Sequence, residues 1–101
     1  MDGVIPTEVG NLRNLQSVDW STNSFSGGLP TEIGFCLSLQ SVNLRSNSFS
    51  GPLPTEFGQL GNLTFFDASN NGLTALPSEL FQLSKLSTLD AHGNSLQVTK
   101  R

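Results

Sequence analysis

Shifted by 24 residues, the chain falls onto itself. Leu15, Val18, Trp20, Asn23, Phe25 and Gly27 land on Leu39, Val42, Leu44, Asn47, Phe49 and Gly51. Phe66, Ala68, Asn71 and Leu73 continue the series, and Leu89, Ala91, Asn94 and Leu96 follow after a step of 23 residues. A second row keeps the register independently: Pro6, Thr7 and Glu8 recur as Pro30, Thr31 and Glu32, as Pro54, Thr55 and Glu56, and as Pro77, Ser78 and Glu79. A period of this length marks small units that cannot bury an apolar side alone and must stack on their neighbours. The chain is therefore expected to build a solenoid, not a globule around one central core.

Within each copy a short stretch alternates, as in Ser17, Val18, Asp19, Trp20 and Ser21. Alternation of period two sends Val18 and Trp20 to one side and Ser17, Asp19 and Ser21 to the other. Strands are predicted at about residues 17–21, 41–45, 65–69 and 88–92. Asn23, Asn47, Asn71 and Asn94 fall just past them, where an amide can both donate to and accept from turning backbone. Two residues on, Phe25, Phe49, Leu73 and Leu96 form an inward row in which the two rings are expected to stack. After each proline, a Thr-Glu or Ser-Glu pair suits a short helical turn with the acid at its positive end. Gly10, Gly34 and Gly58 are expected to end that turn with a positive φ. Phe81 holds the matching place, so a different backbone or an exposed ring is expected there. Cys36, Ala68 and Ala91 are small members of apolar rows, and Cys36 reads as a buried hydrophobe. Trp20, oversized for its row, is expected to help fill the interior near the N-terminal end.

These residues resemble the leucine-rich-repeat family, whose pattern is L-x-x-L-x-x-L-x-L-x-x-N-x-L. Ser26 to Gly34 and Ser50 to Gly58 closely match the continuation S-G-x-[IL]-P-x-x-[IL]-G of its plant-type subclass, found in receptor-like proteins and receptor-like kinase ectodomains. Gly72 to Pro77 departs from it and is similar to the L-T-x-L-P form of intracellular repeats. The resemblance implies an α/β solenoid: a right-handed leucine-rich-repeat superhelix with a short parallel sheet on the concave face, and loops and short 3-10 turns on the convex face. It implies one domain over residues 1–101, with a partial repeat at 1–11 and repeats at about 12–35, 36–59, 60–82 and 83–101. It also implies that Asn23, Asn47, Asn71 and Asn94 form a structural asparagine ladder.

The function implied is non-catalytic recognition of a protein or peptide through the concave face, in signalling or defence. The alternative is an intracellular scaffold or regulator similar to the Ras-associated repeat proteins. Candidate contacts are Asp19, Asn43, Asp67 and Asp90 in one row about 4.8 Å apart, Arg45 and His92 in the next, and Phe65. An aromatic on a polar face is the residue type enriched at interface hot spots. Asp90 and His92 could orient a general base, but no plausible nucleophile accompanies them, so no catalytic site is assigned.

Charge removes other classes. The formal net charge is −3, charged residues make up 13% of the chain, and its five cations are scattered. No basic stripe is available for nucleic acid. A single cysteine, Cys36, excludes an internal disulfide and a cysteine-based zinc cluster. No cofactor or metal is expected. No apolar run approaches the roughly 18 residues that cross a bilayer, and the N-terminus lacks the basic and apolar segments of a signal peptide. Asn62, Leu63 and Thr64 form a glycosylation sequon. No end cap is visible, and association through the open ends is a further expectation. Placement is extracellular or at the cell surface for a receptor-like parent, and cytoplasmic otherwise.

Overall fold

The computed structural model describes residues 2–96. The last expected repeat, 83–101, runs beyond them. The elements are β1 Asp2–Gly3, β2 Ser17–Asp19, β3 Ser24–Gly27, β4 Ser41–Asn43, β5 Ser48–Pro52, β6 Phe65–Asp67, β7 Gly72–Ala75 and β8 Thr88–Asp90. Four 3-10 turns separate them, at Thr7–Asn11, Thr31–Phe35, Thr55–Gln59 and Ser78–Gln82. The even-numbered strands form one parallel sheet in the order β2-β4-β6-β8. Ser17, Ser41, Phe65 and Thr88 stand side by side in it, as do Val18, Val42, Phe66 and Leu89. Its ladder continues past the strand ends through Trp20 N–H to Asn43 O (2.9 Å) and Leu44 N–H to Asp67 O (2.7 Å).

The odd-numbered strands form a second parallel sheet, β1-β3-β5-β7, where the sequence led only to loops. Ser24, Phe25 and Ser26 already alternate, with Phe25 buried and both serines exposed, so the signal was present. The pairing of β5 with β7 shifts register between Gly51 and Pro52, which pairs Pro52 with Ala75.

Between the sheets and the 3-10 turns lies a core that includes Ile33, Leu39, Val42, Leu44, Phe49, Phe57, Leu60, Leu63 and Phe66. Phe25 and Phe49 stack with centroids 6.1 Å apart and planes 15° from parallel. Cys36 is fully buried, its Sγ–H donates to Val9 O at 3.2 Å, and burial pushes its thiol pKa up. Trp20 fills its space only in part. It is half-buried with its ring edge-on to Phe25, beside a cavity of about 380 Å³ lined also by Ile5, Val9 and Leu12.

The convex glycines have a different role from the expected one. Positive φ occurs at Gly27 and Gly51 (75° and 76°), not at Gly10, Gly34 or Gly58. These three lie inside 3-10 turns, where the next turn presses on them. A Cβ at Gly34 would stand 2.8 Å from both Cβ and O of Glu56, and one at Gly58 would stand 2.5 Å from Glu79 Cβ. Such approaches lie well inside van der Waals contact. Glycine is needed for the close stacking of turns. Phe81 sits in an ordinary 3-10 turn and its side chain is exposed.

Candidate binding face

Each repeat turns out of its sheet strand through one residue with left-handed backbone: Thr22 (φ 56°), Ser46 (62°), Asn70 (59°) and Gly93 (72°). The next residue is always asparagine, and the turn points its amide inward. Asn47 Nδ2 donates to Leu44 O (3.1 Å) and Arg45 O (3.3 Å) of its own repeat and to Trp20 O (2.8 Å) of the one before. Its Oδ1 accepts Phe25 N–H at 3.1 Å. Asn71 repeats this set with Ala68, Ser69, Leu44 and Phe49, and Asn94 with Ala91, His92, Ala68 and Leu73. Asn23 donates to Trp20 O and Ser21 O. This row joins the two sheets and bridges successive repeats.

The outer face of the first sheet carries three rows. Ser17 and Thr88 are exposed, and Ser41 and Phe65 half-buried. In the middle row every Oδ1 accepts the backbone N–H two residues on: Asp19 from Ser21 (3.1 Å), Asn43 from Arg45 (3.1 Å), Asp67 from Ser69 (2.9 Å) and Asp90 from His92 (3.3 Å). Ser21 and Ser69 add hydroxyl bonds of 2.6 and 2.7 Å. These residues are Asx turns that close the strand ends, a local task that the spacing Asp-x-Ser in this sequence could have revealed. The Ser21 hydroxyl and N–H hold the Asp19 carboxyl below its ordinary pKa. The His92 ring, whose Nδ1 lies 2.5 Å from Asp90 Oδ1, does the same for Asp90, with a smaller effect from the Arg45 charge.

Asp67 departs from the expected solvent-facing row. It is only 8% exposed and its partner Ser69 is fully buried. β6 has a strand on either side, and the Asp67 carboxylate is turned back onto its own strand end. Asp19, Arg45 and His92 are exposed, and Asn43 and Asp90 half-buried. Asn62 lies off this face, near Leu37 and Lys85. Ser69 is fully buried, and its hydroxyl donates to Asp67 Oδ1. Among the described residues no group of three or more His, Cys, Asp or Glu could hold a metal ion. No helix among them is long and apolar enough to cross a membrane.

A stack of short parallel strands tied by an inner amide row, with an open polar sheet face, defines a repeat scaffold. The chain belongs to the Leucine Rich Repeat family, whose model matches residues 14–36, 38–60 and 62–83. Solved plant receptors share this geometry. One is the ectodomain of the membrane receptor kinase GASSHO1/SCHENGEN3 from Arabidopsis thaliana, in complex with CASPARIAN STRIP INTEGRITY FACTOR 2. It is 38% identical with a TM-score of 0.90, over 94% of this chain and 12% of that one. The plant peptide hormone receptor RGFR1, in complex with RGF2, is 35% identical with a TM-score of 0.92, over 95% and 16%. A plant ice-binding protein is 38% identical with a TM-score of 0.88, over 94% and 31%. The chain thus spans less than a third of these relatives. No curated protein matches it.

Proposed function

We propose that this chain is a recognition segment of a plant-type receptor, holding an extended peptide or a protein partner against the outer face of its first sheet. The observation that carries this reading is Phe65, an aromatic ring half-buried between Ser41 and Thr88 on an otherwise polar face. Arg45 and His92 stand on either side of buried Ser69 and offer a donor fork and an imidazole to the same partner. Asp19, Asn43 and Asp90 complete the contact set, and buried Asp67, bonded to Ser69, is left out of it. Two of the similar solved receptors are named as complexes with peptide or protein ligands, which favours the same use here. That likeness also supports a role in signalling.

Selection of a displayed library of extended peptides against the chain tests the reading. Enriched peptides are expected to lose about tenfold or more in affinity to the Phe65→Ala and Arg45→Ala variants, the range of an interface anchor, while both variants melt close to the parent. No enrichment, or binding indifferent to both substitutions, would remove the sheet face as the site.

A further inference from the structure

Most asparagines whose bonds have been described lie in the inner row, and their amides are committed to backbone carbonyls. Asn62 is placed differently. It is exposed, and one Nδ2 hydrogen makes a long bond of 3.3 Å to Leu37 O. Its Oδ1 accepts from Lys85 Nζ at 3.2 Å, and its second amide hydrogen has no partner among the described residues. Next to it Gly61 has nothing within 4 Å of the place a Cβ would take, so the surface is open. Thr64, two residues on, completes the one Asn-x-Ser/Thr sequon of the chain. Leu37, whose carbonyl Asn62 touches, is 52% exposed, whereas neighbouring Phe35 has the Arg13 guanidinium 5.7 Å above its ring.

We propose that Asn62 is an N-glycosylation site. The donor is an oligosaccharide linked through pyrophosphate to a membrane lipid. A bond forms between Asn62 Nδ2 and the sugar C1, the bond from C1 to the pyrophosphate oxygen breaks, the lipid pyrophosphate leaves, and one amide proton is lost. The N-glycosylated amide keeps one N–H and its carbonyl, so it still carries one donor and the acceptor that Lys85 uses. The Asn62 amide bonds to Leu37 and Lys85, off the sheet face with Phe65. This inference rests on the reading of the chain as part of an extracellular receptor.

The test is the full chain expressed behind a secretion signal in plant cells, recovered from cells and medium together and analysed by peptide mass spectrometry. A single glycan on the Asn62 peptide is expected, lost in Asn62→Gln and Thr64→Ala and kept in Thr64→Ser. A bare Asn62 in the parent chain overturns the proposal. So does a glycan that persists in Asn62→Gln. Peptide capture is measured on the same material, so that the two readings fail separately. Bare Asn62 with capture intact removes only the glycan, and a glycan without capture removes only the peptide face.

Discussion

Asn43 and Asn47 stand four residues apart in one repeat and illustrate two kinds of polar row. Both accept a backbone N–H through Oδ1, yet their rows differ in identity: the inner one is Asn in all four copies, and the outer one reads Asp, Asn, Asp, Asp. The donor side explains this. Asn47 must also donate to three carbonyls, two in its own repeat and one in the repeat before, which a carboxylate cannot do. Asn43 only accepts, and only within its own repeat, so aspartate serves equally well. Bonds that bridge repeats require one residue type, and local bonds tolerate exchange.

The same exchange on both rows is the strongest way to break this comparison. Asn47→Asp should cost about 2 kcal/mol or more, because it removes donors from partly buried carbonyls and sets a charge against them. Asn43→Asp should stay within about 0.5 kcal/mol. Urea unfolding of the two variants measures both, and similar losses would show that the inner bonds carry no special weight. Asn47→Ala should cost roughly 1–3 kcal/mol through the same orphaned groups.

On the convex side, sterics alone hold glycine at Gly10, Gly34 and Gly58, where the next turn presses close. Gly58→Ala should lose about 2 kcal/mol by overpacking against Glu79. The same change at Gly61, where space is open, should cost far less, and thermal melts compare the pair. At the turn that delivers the ladder, Thr22 is a β-branched residue in left-handed backbone. Thr22→Asn should stabilise by about 1 kcal/mol, since Asn visits that region readily.

The smallest effect is on pH dependence. The Asp19 and Asp90 carboxyls titrate below their ordinary 3.8 because Ser21 and His92 donate to the ionised form. Their folded values are depressed, so their contribution is present above pH 3.8 and is lost as the pH falls through the lower folded values. The neutral inner amides do not titrate in this range. Acid melts of an Asp19→Asn and Asp90→Asn double variant should therefore be flatter than those of the parent. An unchanged acid slope would place the sensitivity elsewhere.

Much of this architecture was legible because a repeat states each constraint several times. The period, the inward rows, the placing of the asparagines past the strands and the stacking of Phe25 on Phe49 all follow from spacing and from the need to bury apolar sides. The second sheet was missed because Ser24 to Gly27 reads as turn composition until the neighbouring copies pair with it. The glycine row was found, but its reason was not: proximity of Gly34 to Glu56 is a contact between repeats, which no single copy expresses. Asp67 matches Asp19 and Asp90 in sequence and differs from them in exposure, since burial depends on what flanks β6. The sequence by itself determined the unit, its period and the place of the asparagines just past the strands, because these depend on local geometry repeated in register. The tertiary structure alone decided which polar residues meet solvent and which support them, because exposure is a property of the stack.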